Sequence, residues 1–160
     1  MKMSAYIAGV GMTHFGKHMD RTLKSLTVEA AQTAMKDAGI NKGDISAAYH
    51  ANVAAGTIVG QICIPGQVAL REMGIGGIPV VNVKNACASA STAFQQASAM
   101  VSAGYYDVVL VMGAEKLYHP EKERTFAVFD GCVDFEDFDK VVESVKQKIT
   151  SAGGAVDDAN

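Results

Sequence analysis

Apolar residues recur along parts of the chain at the spacing of one face of a helix. They do so over Leu23–Ala38, which predicts a helix that Gly39 would end. The pattern resumes near Pro65, where proline is tolerated in a first helical turn, and runs to about residue 73. It returns over residues 87–103. The sequence therefore predicts three helices in its first two thirds.

Short apolar runs rich in β-branched residues separate these helical segments. Such runs are typical of strands that are covered on both faces. The predicted strands lie at residues 5–10, 44–54, 78–83 and 107–112. Because strands and helices alternate, the predicted fold class is α/β, with a mostly parallel sheet and crossover helices on both faces.

The pattern changes after Glu115. Residues 116–140 are polar, contain scattered aromatic residues and show no clear period. Residues 141–149 then carry apolar positions that predict a short amphipathic helix. We therefore predict a first domain over residues 1–115 and a separate loop region over residues 116–160.

The composition excludes several classes of protein. The chain has 160 residues, of which 49% are hydrophobic and 19% charged, so it can bury a core and is not a disordered tail. The net charge of −3 and the lack of a Lys/Arg cluster argue against binding to nucleic acid or an anionic membrane. No apolar run reaches membrane-spanning length and no signal peptide is recognisable, so we expect a cytoplasmic protein.

The sequence offers no convincing metal site. The cysteines are Cys63, Cys87 and Cys132, and no two of them form a C-x-x-C pair. The acidic residues of segment 130–139 do not match a calcium loop, because no glycine occupies the required turn position. We therefore predict no bound metal and a reducing compartment for the thiols.

Cys87 is the residue in the most suggestive context. It follows a predicted strand and a short turn, and it opens a predicted helix among small residues. The first N–H groups of a helix are unpaired and carry partial positive charge, which stabilises a thiolate. The Cys87 N–H could also donate to the oxyanion that forms after the sulfur attacks a carbonyl. The simpler interpretation is a small buried cysteine in a generic α/β domain.

The surrounding sequence resembles the segment around the acylated cysteine of thiolases. The motif is Asn85-Ala86-Cys87-Ala88-Ser89, followed by a helix that ends near Gly104 and by an apolar strand that ends in Gly113-Ala114-Glu115. The resemblance covers about residues 5–117 and is strongest over residues 80–117. It is closest to the sterol-carrier-protein-type and archaeal acetyl-CoA acetyltransferase branch. The resemblance implies the N-terminal half of a thiolase-like fold, in an incomplete form. Residues 1–115 would be the N-terminal domain without its last strand, and residues 116–160 would begin the family's substrate-covering loop region.

The resemblance also implies a reaction. In thiolases this cysteine carries the acyl group between carbon–carbon cleavage of a 3-oxoacyl-CoA and transfer to coenzyme A, and the reverse reaction is a Claisen condensation. Cys87 would then be the nucleophile and its N–H an oxyanion donor. Coenzyme A and acyl-CoA would be substrates, with no covalently bound cofactor.

Other parts of a thiolase site have no counterpart in this sequence. The family also uses a histidine that activates the nucleophile, a histidine at an oxyanion site and a second cysteine. None of the four histidines, His14, His18, His50 and His119, lies in a matching motif, and neither does Cys63 or Cys132. His50 is expected to be a hydrogen-bonded core residue and His119 to be solvated. A fifth, glycine-rich edge strand is also missing, so we expect the chain to be one piece of a longer polypeptide and inactive alone.

Two further hypotheses remain open. A ketoacyl synthase or hydroxymethylglutaryl-CoA synthase relative would share the fold and the cysteine. A non-catalytic thiolase-like subunit would instead bind and hold a partner. The resemblance also implies a homodimer or larger oligomer, and it raises a small zinc-ribbon/OB-fold protein as a possible partner.

Overall fold

The computed structural model of the protein describes residues 4–155. Helices and strands alternate through most of the chain, as predicted. The α-helices are α1 (Leu23–Ala38), α2 (Ala55–Val59), α3 (Pro65–Glu72), α4 (Ser89–Ser102), α5 (Lys122–Asp130) and α6 (Phe138–Ser151). The strands are β1 (Ala47–Ala51), β2 (Val80–Val83) and β3 (Val109–Gly113), and a 3₁₀ turn covers Lys42–Asp44.

The described strands form one parallel sheet in the order β2-β1-β3. Tyr49 of β1 lies opposite Val81 on one side and Val111 on the other. All five residues of β1 are buried, as expected for a central strand covered on both faces. The predicted α/β class, with a parallel sheet, is confirmed.

Helices cover both faces of the sheet. On one face, Ala48 and Leu110 pack with Ala31 of α1 and Leu70 of α3. On the other face, Tyr49 packs with α4. Leu70 is 2% exposed, and burying a leucine to this extent contributes about 1.5–3 kcal/mol. The core therefore lies directly above and below β1.

Local capping signals explain why α1 has the bounds that the sequence predicts. The Thr22 side chain accepts a hydrogen bond from the Ser25 N–H at 3.0 Å, which satisfies one of the unpaired donors at the helix start. Gly39 ends the helix with φ 66°, and its N–H donates to the Lys36 carbonyl.

The prediction of a strand at residues 5–10 is wrong. These residues form no strand, and Tyr6 and Ile7 are 93% and 68% exposed. The segment instead crosses α1 closely: a Cβ at Gly9 would lie 2.5 Å from the Ala34 carbonyl oxygen, and one at Gly11 would also meet the backbone of α1. No strand of the described residues lies beside the segment, so its backbone has nothing to pair with in a sheet.

Smaller differences concern the ends of elements and one missed helix. The predicted strand over residues 44–54 contracts to β1, and Asn52 begins the loop that follows it. Segment 116–140, which shows no period, nevertheless contains helix α5. The expected fifth strand is not formed by any described segment and stays a prediction.

The chain divides into two compact units, Met1–Val128 and Phe129–Asn160. The first contains the sheet and both of its helical layers. In the second, the apolar residues Val141, Val145 and Ile149 of α6 lie four positions apart and are all exposed. The amphipathic helix predicted over residues 141–149 is therefore present, and it extends further in both directions.

Candidate active site

The carboxyl ends of the three parallel strands form one edge of the sheet. In parallel α/β sheets, ligands bind beyond this edge, where the loops that follow neighbouring strands meet. Cys87 lies in the loop that follows β2, and Asn52 and Glu115 follow β1 and β3. The strand order therefore places all three residues in loops at the same edge of the sheet.

Cys87 lies in a tight turn between β2 and α4, and it is exposed. The first residue of α4 is Ser89, so the expectation that Cys87 itself opens the helix is wrong by two positions. Before α4 the chain forms a tight turn instead: Ala86 has a left-handed φ of 44°, and the N–H groups of Ala88 and Ser89 bond to carbonyls three residues back. The observed exposure also excludes the interpretation of Cys87 as a buried packing residue. Cys63 and Cys132 are exposed as well, so exposure alone does not distinguish Cys87.

Backbone hydrogen bonds close this turn around the cysteine. The Ala88 N–H donates to the Asn85 carbonyl at 2.9 Å, and the Ser89 N–H donates to the Ala86 carbonyl at 3.2 Å. None of the hydrogen bonds within the turn uses the Cys87 N–H. This arrangement leaves that N–H available as a donor, which is what an oxyanion site needs.

Side chains of α4 reinforce the turn. The Ser89 hydroxyl accepts a hydrogen bond from the Asn85 N–H at 2.7 Å and donates to the Ala86 carbonyl at 2.8 Å. The Asn85 side chain donates to the Thr92 hydroxyl at 2.9 Å. Ser89 is 5% exposed, so little water competes for its hydroxyl. Ser89 therefore acts as a first-turn serine that bonds to nearby backbone groups.

Glu115 forms a second polar cluster at the same edge. Its carboxylate accepts hydrogen bonds from the Val53 N–H at 2.8 Å, the Ala54 N–H at 3.0 Å and the Asn52 side chain at 2.8 Å. The Asn52 side chain also donates to the Ala114 carbonyl at 2.7 Å. Glu115 thereby fixes the loop after β1 to the end of β3. Sequence reasoning identified Glu115 only as part of a motif and missed this role.

Lys116 extends the same connection to a third loop. Its ammonium group donates to the backbone carbonyls of His18 and Arg21. The two neighbouring residues Glu115 and Lys116 therefore hold two different loops beside the end of β3. No local sequence signal predicts this, because the bonded residues lie 61 to 98 positions apart along the chain.

The histidines do not gather around Cys87 through any hydrogen bond of the described residues. His50 is buried on β1, as predicted, but its Nδ1 has no hydrogen-bond partner within the part of the chain that the structure describes. Burial lowers the pKa of His50 to about 4, so the ring is neutral near pH 7. The Nδ1 of His119 accepts the Glu121 N–H at 3.1 Å. Neither of these two rings is hydrogen-bonded to Cys87.

The described residues offer neither a metal site nor a membrane-spanning helix. Across residues 4–155, no three His, Cys, Asp or Glu side chains are grouped in a way that could hold a metal ion. None of the helices in this part of the chain has both the length and the apolar character needed to cross a bilayer.

Comparison with known proteins relates these features to a family. Residues 5–152 match the family model described as the thiolase N-terminal domain. An acetyl-CoA acetyltransferase of Methanocaldococcus jannaschii is 44% identical over 111 residues, which are 69% of this chain and 28% of that protein. Sterol carrier protein 2 of Gallus gallus is 34% identical over 119 residues, 73% of this chain and 21% of that protein.

Solved structures show the same fold. The acetyl-CoA acetyltransferase from Syntrophomonas wolfei superimposes with a TM-score of 0.59 at 23% identity, over 66% of this chain and 27% of that one. The Ltp2-ChsH2(DUF35) aldolase superimposes with a TM-score of 0.54 at 27% identity, over 66% of this chain and 26% of that one.

The chain spans well under a third of the length of these relatives. The match nevertheless covers most of the chain, and both relatives come from the branch that the sequence resembles. The predicted resemblance is confirmed: this chain belongs to the thiolase family and corresponds to its N-terminal domain.

Proposed function

We propose that this chain supplies the nucleophile of a thiolase-type acyltransferase, with Cys87 as the residue that carries the acyl group. The observation that supports this most is the turn between β2 and α4. It presents an exposed thiol at the carboxyl edge of a parallel sheet, next to a backbone N–H that the turn does not use. The family membership supports the same role.

The proposed reaction begins with a thiolate at Cys87. Its sulfur forms a bond to the 3-keto carbon of a 3-oxoacyl-CoA, and the carbonyl π electrons move to oxygen, where the Cys87 N–H donates to the oxyanion. The oxyanion then collapses and the bond between C2 and C3 breaks. Its electron pair leaves on the shortened acyl-CoA as an enolate, which takes up a proton.

Free coenzyme A completes the cycle. Its thiol loses a proton and attacks the acyl-Cys87 thioester, and the Cys87 thiolate leaves as the new acyl-CoA forms. Run in reverse, the same steps are a Claisen condensation. The acid and base groups for these proton transfers come from beyond the described residues in this proposal, since no histidine of the described chain is bonded to the turn.

Trapping of the acyl-enzyme tests the proposal. The intact polypeptide is mixed with acetyl-CoA, quenched in acid and digested, and the peptide that contains Cys87 is analysed by mass spectrometry. One acetyl group on Cys87 is expected, together with its loss on addition of coenzyme A. Cys87→Ser should abolish this labelling, and Cys63→Ser, which changes another exposed cysteine, should not.

The same experiment separates the alternatives. Acylation from acyl carrier protein but not from acyl-CoA would support a ketoacyl-synthase-type condensing enzyme. If Cys87 of the intact assembly takes up no acyl group from either donor, the proposal is wrong and a non-catalytic thiolase-like subunit becomes the better interpretation.

The proposed setting is a cytoplasmic oligomer that includes a partner protein. The Ltp2-ChsH2(DUF35) aldolase among the structural neighbours carries two protein names, which supports association with a partner. The resemblance suggests a zinc-ribbon/OB-fold protein for that partner. Purification of the intact polypeptide from its natural source, followed by light scattering and identification of bound chains, tests this part. A monomer without any bound chain would contradict it.

A further inference from the structure

We propose that Ser89 is a positioning residue for Cys87, whose hydroxyl holds the turn in the shape that presents the thiol. Cys87 itself has no side-chain hydrogen bond among the described residues that would fix it. Its position therefore depends on the backbone of the turn. The functional importance of Ser89 rests on the proposed role of Cys87 as the nucleophile. The hydrogen bonds that Ser89 makes do not depend on that role.

The turn needs to be held because it contains a strained residue. Ala86 adopts φ 44°, a conformation that costs an alanine about 1–2 kcal/mol. Ser89 is bonded to both sides of that residue: its hydroxyl accepts the Asn85 N–H at 2.7 Å and donates to the Ala86 carbonyl at 2.8 Å. One side chain thus fixes the backbone on either side of the strained φ, immediately before Cys87.

Burial makes these hydrogen bonds hard to replace. Ser89 is 5% exposed, so a water molecule cannot easily take the place of a missing hydroxyl. Helix α4 also begins at Ser89, so this residue lies where the turn joins the helix. Loss of the hydroxyl would free Ala86 to relax and move the thiol away from its position.

The chain contains a matched control in the same helical turn. Ser91 also carries a hydroxyl in the first turn of α4, and it donates to the Ala88 carbonyl at 3.0 Å. Unlike Ser89, it is exposed and makes no bond to Asn85 or Ala86. Ser89→Ala and Ser91→Ala are therefore the same chemical change on the same helix, and only the first removes the connection across Ala86.

Alkylation of Cys87 by iodoacetamide tests the inference on the intact polypeptide. The sulfur forms one S–C bond and iodide leaves. The rate therefore reports how accessible and reactive the Cys87 thiol is, and the enzyme does not have to turn over. Site-resolved mass spectrometry gives the rate at Cys87, with Cys63 in the same sample as an internal reference. Ser89→Ala should lower the alkylation rate of Cys87 by about tenfold relative to that of Cys63. Ser91→Ala should lower it by less than about twofold.

Two more variants keep the test informative if Ser89→Ala folds poorly. Ser89→Thr retains the hydroxyl and should recover most of the rate. Thr92→Val removes the hydroxyl that accepts the exposed hydrogen bond from the Asn85 side chain. It should lower the alkylation rate of Cys87 by about threefold. All rates are measured well below the unfolding midpoint of each variant.

If Ser89 only stabilised the fold, the alkylation experiment would give a different result. Ser89→Ala would then lower the unfolding midpoint and leave the alkylation ratio of Cys87 to Cys63 at the wild-type value, which would overturn the inference. In turnover assays, positioning should lower kcat with little change in KM. If wild-type Cys87 accepts no acyl group, the proposed function fails, and the alkylation ratios still decide whether Ser89 positions the thiol.

Discussion

Residues 5–10 and strand β1 have similar sequences and different structures. Both are short apolar runs, and both predict a buried strand. All of β1 is buried between two neighbouring strands, whereas Tyr6 and Ile7 are 93% and 68% exposed and residues 5–10 pair with no strand of the described chain.

The difference shows that an apolar run becomes a strand only where its backbone finds partners. Each N–H and C=O of a strand has to bond to a neighbour or to water. β1 has β2 on one side and β3 on the other. The N-terminal segment instead lies against α1, where the Val10 N–H donates to the Asp37 carboxylate at 2.9 Å. A side chain, and not a ladder of backbone bonds, holds it at this point.

The largest expected effect comes from placing the same charge in both regions. Ala48 of β1 is 0% exposed, so Ala48→Asp buries a carboxylate without a partner and should lower the free energy of unfolding by more than about 4 kcal/mol. Ile7→Asp makes the corresponding change at an exposed residue and should alter it by less than about 0.5 kcal/mol. Urea denaturation followed by circular dichroism measures both. Equal losses would mean that residues 5–10 are buried in the folded protein.

The pH dependence of stability provides a second test of the burial of β1. Burial lowers the pKa of His50 from 6.5 to about 4. Above pH 6.5 the ring is neutral in both the folded and the unfolded chain. As the pH falls from 6.5 towards 4, the unfolded chain gains a proton that the folded chain does not, so stability falls. Each pKa unit corresponds to about 1.4 kcal/mol, so the loss approaches about 3 kcal/mol and levels off below about pH 4.

A matched pair of variants separates the contribution of His50 to the pH dependence of stability from that of the carboxylates. His50→Leu should remove the loss caused by His50 and also the buried Nδ1 that lacks a partner. His14→Leu makes the same substitution at an exposed histidine and serves as the control. Denaturant midpoints at intervals between pH 4 and 7 give the profiles. Identical profiles for wild type and His50→Leu would contradict a neutral, buried His50.

The same contrast explains how much of the fold the sequence could predict. Helix α1 matches its prediction at both ends because its signals are local: Thr22 caps one end and Gly39 the other. The core strands were found because their apolar runs are covered on both faces. Residues 5–10 carry the same signal, and what decides their structure is the absence of a neighbour, which no local pattern contains.

The candidate site likewise has one part that the local sequence predicts and another part that it does not. Cys87 could be singled out from its motif, because a strand, a turn and a helix follow one another within a few residues. The left-handed φ of Ala86 could not be predicted, since alanine rarely adopts it and no glycine marks the position. The Glu115 cluster joins residues 61 to 63 positions apart, so it becomes visible only once the strands are arranged in the sheet.

The smallest expected effect concerns the contact that replaces strand pairing in the N-terminal segment. A Cβ at Gly11 would meet the backbone of α1, so Gly11→Ala should push the segment away from the helix and lower the free energy of unfolding by about 1–2 kcal/mol. Gly43→Ala is the control, because a Cβ there meets nothing within 4 Å, and it should leave stability unchanged or raise it slightly. Limited proteolysis should show faster cleavage within residues 4–16 for Gly11→Ala only. If both variants behave alike, the close contact between Gly11 and α1 does not hold the N-terminal segment in place.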